Sequence, residues 1–199
     1  MIKNISNLGD TALYCDFGNE VNKSINSQVI KYFKTIKEKK VKGINNLTPS
    51  YNKLIISYDL RQTNFNEVKK YIENLNVETS IKLNTKRIEI PVCCHESLSL
   101  DIKRLEKILN FSRDKILENF LNKEYFCYMT GFIAGMPFLG DLNEHMRAQR
   151  LETPRVKVPK GSVGLTEQFA NIYTFESPGG WNILGNTPVI IFDSKKEDK

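Results

Sequence analysis

Histidine occurs twice and tryptophan once in these 199 residues, and the four cysteines never fall in a C-x-x-C spacing. Acid–base work at neutral pH therefore has only His95 and His145 as imidazoles to draw on. "CCH" at Cys93 to His95 has no second Cys/His cluster to complete a tetrahedral site, so no metal is expected. Adjacent Cys93 and Cys94 are poorly placed to bridge each other, and with Cys15 and Cys127 they read as reduced, semi-buried thiols. No G-x-S-x-G elbow, phosphate-binding glycine loop or H-E-x-x-H pair is present. Every apolar run falls short of the ~18 residues of a membrane span. The start, "MIKNISNLGDTALYCDFG", lacks the basic and apolar regions of a secretion signal. A cytoplasmic protein without membrane contact is expected.

Positive charge is in excess, with a net charge of +6, which raises the question of a nucleic-acid partner. The lysines are dispersed, however, and the one dense run, "KTIKEKK" (34–40), falls late in an expected helix, where cations suit the dipole. Basic and aromatic residues do not interleave as in single-strand binders. A solvated helix face is the simpler account, and no nucleic acid is expected.

The pattern changes character partway along the chain. "IKNIS" and "ALYCDF" read as strands joined at Gly9-Asp10. Ile25, Val29, Phe33 and Ile36 recur at helical spacing, which predicts a helix near 21–40 stopped by Gly43. "TPSY" reads as a turn, "KLIISYD" as a strand, and Asn64 as the cap of a helix with Phe65, Val68, Ile72 and Leu75 on one face. A ββαββα order implies helices on one face of an antiparallel sheet, hence an α+β domain over 1–82. From 83 to 194 a second domain is expected. It opens with "RIEIPV" as a strand, then two short helices capped by Ser99 and Ser112. Short strands follow in "EYFCYMTGF", "RVKVP", "GSVGL", "ANIYTF", "NILG" and "PVIIFD". Short strands parted by Gly/Pro turns suggest a compact β-barrel. Glu167 and Gln168 read as turn residues, and 195–199 as a disordered tail.

Three glycine-bearing loops of the second domain stand beside Phe132, Phe138 and Trp181: "TGFIAGMPFLG", "VPKGSVG" and "SPGGW". Such loops at one end of a barrel commonly build a site. In order, "GFIAGMPFLG", "PRVKVPKGSVGL" and "SPGGWNILGNTP" resemble the family of the 5-oxoprolinase B subunit, of the carboxyltransferase domain, subdomain C/D type. That family also includes the sporulation kinase A inhibitor and the first subunit of allophanate hydrolase and urea carboxylase systems. The similarity extends upstream through "LTPSYNKLIISYDL" and "IEIPVC".

The resemblance implies a small ferredoxin-like N-terminal domain followed by a cyclophilin-like β-barrel domain. It implies the B subunit of an ATP-dependent 5-oxoprolinase, turning 5-oxoproline into glutamate with a homologous C subunit and a third, A subunit. ATP would be used by the complex, with no cofactor held by this chain. The alternatives are a regulatory protein that binds a sensor histidine kinase, or an allophanate hydrolase or urea carboxylase-related subunit. The expected substrate-binding residues are Phe132, Pro137, Phe138, Arg155, Gly161, Ser162, Pro178, Gly179, Gly180 and Trp181. Arg155 would meet an anionic group, Ser162 would offer a hydroxyl, and Trp181 would anchor its loop and wall the site. No catalytic residue is identified.

The chain departs from the family pattern at several positions. Ala134, Met136 and Phe138 replace proline, phenylalanine and tyrosine, and Leu151 replaces the second of two paired arginines, Arg150 being the first. Lys160 replaces alanine, Phe169, Ala170 and Asn171 replace Gln-Thr-Gly, and Asn186 replaces a basic residue. Family members continue after "IFD" into another strand, so an open sheet edge is expected there. Loop-shaping residues are kept while polar ones are exchanged.

Overall fold

The computed structural model describes residues 2–77 and 85–196. The chain divides into two compact units, Met1–Lys86 and Arg87–Lys199. The expected boundary between 82 and 83 lies outside the described residues, as do positions 197–199 of the expected tail.

The first unit runs β1 (Asn4–Asn7), β2 (Ala12–Asp16), α1 (Lys23–Lys39), β3 (Ile44–Pro49), β4 (Lys53–Tyr58) and α2 (Phe65–Glu73). Its antiparallel sheet has the order β1-β2-β4-β3. Alternation along β4 buries Leu54, Ile56 and Tyr58, which join Leu13 and Cys15 of β2. Val29 and Ile36 of α1 and Val68 and Ile72 of α2 complete that core. Asn22 caps α1 by accepting from the Ile25 amide at 2.9 Å, and Asn64 caps α2 by accepting from Glu67 at 3.1 Å. Buried Asn26 donates from Nδ2 to the carbonyls of Ser50 and Tyr51, both at 3.1 Å, and so ties α1 to the β3–β4 turn.

Two boundaries differ from the sequence expectation. Helix α1 ends at Lys40 in the left-handed region (φ 46°), ahead of Gly43. Thr48 and Pro49 belong to β3, and the turn begins after them. β3 is an edge strand, where a proline that donates no hydrogen bond is tolerated.

The second unit opens with α3 (Ile102–Leu109) and α4 (Arg113–Leu121), followed by β5 (Phe126–Thr130), β6 (Pro137–Gly140) and β7 (Arg155–Val158). Then come β8 (Ser162–Thr166), β9 (Phe169–Ile172), β10 (Ser177–Gly179) and β11 (Asn182–Asn186). Five strands form an antiparallel sheet ordered β11-β8-β9-β6-β5, while β7 and β10 pair as a separate ribbon. Val163, Leu165, Ala170, Ile172 and Leu184 pack with Ile102 and Leu105 of α3 and Ile116 and Phe120 of α4. A smaller cluster holds Met136, Val158, Tyr173 and Ile183, with Phe138 and Trp181 against it. Alternation therefore gives the sheet two apolar surfaces of unequal size.

Here too the sequence misleads in places. Residues 87–92 form no strand. Ile90 and Val92 lean on the core, but Ile88 is exposed, and only Cys93 bridges to Asn186. Alternation is present there without a neighbouring strand to pair with. "PVIIFD" (188–193) is likewise irregular, with Ile191 on the core and Val189 and Ile190 exposed. Pro137–Gly140, expected as loop, is β6, and Ser177–Gly179 is β10. Ser112 caps α4 through the Lys115 amide at 3.4 Å. Ser99 does not cap α3: its hydroxyl lies 2.7 Å from the Leu184 carbonyl and 3.0 Å from that of Cys94. Glu167 and Gln168 form the β8–β9 turn.

The four thiols are free, Cys15 buried and Cys93 exposed. Burial pushes the Cys15 thiol up to about 12. Because the thiolate is the reactive form, an alkylating reagent at pH 8 should modify Cys93 in the native protein and reach Cys15 only after unfolding. Peptide mass spectrometry reads both, and native labelling of Cys15 would contradict the packing.

Candidate anion-binding site around Tyr173

The three glycine-bearing loops meet through one residue outside them. Tyr173 follows β9 and is buried. Its carbonyl accepts from the Gly161 amide at 2.7 Å, and its amide donates to the Ser162 carbonyl at 2.9 Å. Its hydroxyl receives the Trp181 amide and lies near Asn171, Arg150 and Arg155. Burial raises the Tyr173 hydroxyl above its ordinary range, opposed by those neighbours.

The loop over that hydroxyl must carry glycine. A Cβ on Gly179 would run into the Tyr173 hydroxyl, and one on Gly180 would come within 3.2 Å of the Arg150 guanidinium. Trp181 is then turned inward and meets Phe138 edge to face, with centroids 5.6 Å apart. The first and third loops are joined by this contact. The second joins the far end of the third: the Thr187 amide donates to the Gly161 carbonyl at 2.8 Å, and Asn186 Nδ2 to that of Lys160 at 2.9 Å. Gly161 has φ +82°, and a Cβ there would meet the Thr187 carbonyl.

The expected site residues thus separate into groups. Phe138, Arg155, Gly179, Gly180 and Trp181 gather around Tyr173. Gly161 and Ser162 frame its backbone, with Ser162 itself buried. Pro137 is buried at the start of β6. Phe132, 70% exposed, and exposed Pro178 lie at the surface.

Arg155 is engaged within the protein. Its Nη2 lies 2.6 Å from Oδ1 of Asp101, a carboxylate only 5% exposed, whose Oδ2 accepts from the Ile183 amide at 2.7 Å. Arg104 of α3 donates to Oδ1 of Asn182, and Asn182 Nδ2 donates to the Gln149 carbonyl at 3.1 Å. The strands around Tyr173 are therefore fastened to α3 by charge. Arg155 pairs with Asp101, Arg104 binds Asn182, and Arg150, near the Tyr173 hydroxyl, is the exposed one. An exposed guanidinium near a phenol can hold a small carboxylate. His95 and His145 lie elsewhere, against Ser97 and Phe111.

Tyr173, Asp101 and Asn171 were not anticipated. Tyr173 reads as an ordinary core aromatic of a strand. Asp101 was detectable as a lone acid between two apolar runs, "SLSL" and "IKRL". Arg150 was visible as the kept member of a pair of arginines.

The chain belongs to the family described as carboxyltransferase domain, subdomain C and D, whose model matches residues 3–199. It is 32% identical over 200 residues to the 5-oxoprolinase B subunit of Bacillus subtilis (strain 168), covering 94% of this chain and 83% of that protein. The crystal structure of TTHA0988 superposes with a TM-score of 0.83 at 26% identity, over 94% of this chain. This chain spans 37% of that protein's length. Kluyveromyces lactis urea carboxylase, 16% identical, shares the fold with a TM-score of 0.74 over 92% of this chain and 19% of that one.

Removing one partner of a buried ion pair costs ~3–5 kcal/mol, because the other charge stays buried. Arg155→Ala should therefore lower the melting temperature by several degrees, and Asp101→Asn should do the same. The double exchange should cost less than the sum of the two, which thermal denaturation of the four proteins measures. Strict additivity would deny the coupling.

Proposed function

We propose that this chain is the B subunit of an ATP-dependent 5-oxoprolinase and acts in the cytoplasm. The complex adds water across the lactam C–N bond of 5-oxoproline to give glutamate, driven by ATP hydrolysis. It works with a homologous C subunit and a third, A subunit, and this chain holds no cofactor of its own. In this reading Met1–Lys86 is the ferredoxin-like domain and Arg87–Lys199 the cyclophilin-like domain.

The observation that carries the reading is the cationic, glycine-walled site at Tyr173 in a chain similar to a protein of that name. 5-Oxoproline is a small ring bearing one carboxylate. Arg150 takes the carboxylate, the Tyr173 hydroxyl donates a further hydrogen bond, and Trp181 and Phe138 cover the ring. Gly179 and Gly180 let the backbone approach, Gly161 and Ser162 hold the Tyr173 backbone, exposed Phe132 and Pro178 form the rim, and buried Pro137 starts the strand that carries Phe138. No general base stands among these residues, so the partner subunits supply the rest of the chemistry.

The purified chain with ATP should open no 5-oxoproline, and adding the C and A subunits should produce glutamate. Turnover by the chain alone, or none by the reconstituted complex, would overturn the reading. Within the complex, Arg150→Ala should lower kcat/KM by more than ~10-fold, the loss of one charge-assisted hydrogen bond. Its melting temperature should not change, since Arg150 is exposed.

A further inference from the structure

Arg150 sits in a stretch, residues 148–151, that belongs to no helix or strand. Its backbone has no ladder of its own there and must be held by groups from elsewhere. The Ala148 carbonyl accepts from the Glu167 amide at 2.8 Å and from the Thr166 hydroxyl at 3.3 Å. The Gln149 carbonyl accepts from Asn182 Nδ2 at 3.1 Å and from Arg104 Nη1 at 3.4 Å. Past Arg150, the Leu151 amide donates to the Gly180 carbonyl at 2.7 Å.

Asn182 is the centre of that arrangement. It has no exposed surface, and it opens β11 ahead of buried Ile183 and Leu184. A carboxamide buried there costs stability unless its polar atoms are paired. They are: Nδ2 also reaches the Leu165 carbonyl at 3.1 Å, and Oδ1 accepts from Arg104. One amide hydrogen of Asn182 is thus committed to the sheet and the other to the residue before Arg150. Arg104 binds Asn182 and Gln149 together, so α3, the sheet and the irregular stretch meet at one point. The Arg150 guanidinium lies against Gly180, where a Cβ would come within 3.2 Å of it, and near the Tyr173 hydroxyl. It projects from a backbone fixed on both sides.

We infer that Asn182 and Arg104 are positioning residues for Arg150. By fixing the Gln149 carbonyl they set where an exposed guanidinium projects, so that a small carboxylate meets it already in place. Orientation set in advance lowers the cost of binding, and a small misplacement is felt strongly. Neither residue touches the ligand, and both act through the backbone beside Arg150. The inference rests on the 5-oxoproline reading above, in which Arg150 takes the carboxylate.

The test is steady-state turnover of 5-oxoproline by the complex reconstituted with the C and A subunits and ATP, well below each variant's melting temperature. Asn182→Leu and Arg104→Met should each raise KM about 10-fold and leave kcat within about 2-fold, since the carboxylate is held less well in ground and transition states alike. Arg104 is half-buried, so Arg104→Met covers the case in which Asn182→Leu fails to fold. In an Arg150→Ala background the same exchanges should change KM by less than about 2-fold, because no guanidinium is left to orient. A merely structural role would lower the melting temperature in both backgrounds and leave KM where it was. A folded variant with the wild-type KM, one whose kcat falls instead, or effects that multiply with that of Arg150→Ala would overturn the inference and leave the 5-oxoproline reading standing. A wild-type complex that makes no glutamate would sink that reading, and the inference with it.

Discussion

A single phenol sets the terms for the second unit. The Tyr173 hydroxyl is buried under the bend at Gly179 to Trp181, and its backbone is held by Gly161 and Ser162. Only a residue without a side chain can pass over that oxygen, so the glycine at 179 follows from the tyrosine beneath it. The bend then has one direction left, which turns Trp181 onto Phe138. Three loops that look independent along the chain are three consequences of enclosing one polar atom in an apolar cluster. An enclosed hydroxyl needs partners, and the Trp181 amide is one.

The arginines divide the electrostatic work. Arg104 and Arg155 bind groups of their own chain and so fasten α3, β7 and β11 together. Asp101 gives each carboxylate oxygen a separate partner, so removing either partner leaves a buried charge only half satisfied. Arg150 is left outside that framework. The loss of the second paired arginine at Leu151 removes a cation from a region that still has three. The Arg150 guanidinium stays exposed near the Tyr173 hydroxyl.

Elements governed by local periodicity were legible in the sequence. Val29 and Ile36, or Val68 and Ile72, announce their helices because the helical repeat and the buried face coincide. The failures share one cause. "RIEIPV" and "PVIIFD" have strand composition, but a strand also needs a neighbour, and no local pattern states whether one is within reach. Ser99 looked like a cap, yet the Leu184 carbonyl, distant in sequence, competes for its hydroxyl. At the site, the turn-forming glycines and the lone tryptophan stood out because their chemistry is unusual anywhere. Asp101, Asn171 and Tyr173 did not, since their importance lies in what the fold brings against them.

Pro49 carries a consequence for how the protein behaves among its own copies. It sits in β3, the outermost strand on one side of the first sheet. An outer strand is a template on which another chain can continue the ladder. Proline removes one donor from that row, and on the far side β1 offers only four residues for such growth. The first unit therefore resists stacking edge to edge into extended assemblies, a safeguard set by one imino acid placed where its missing hydrogen does no harm.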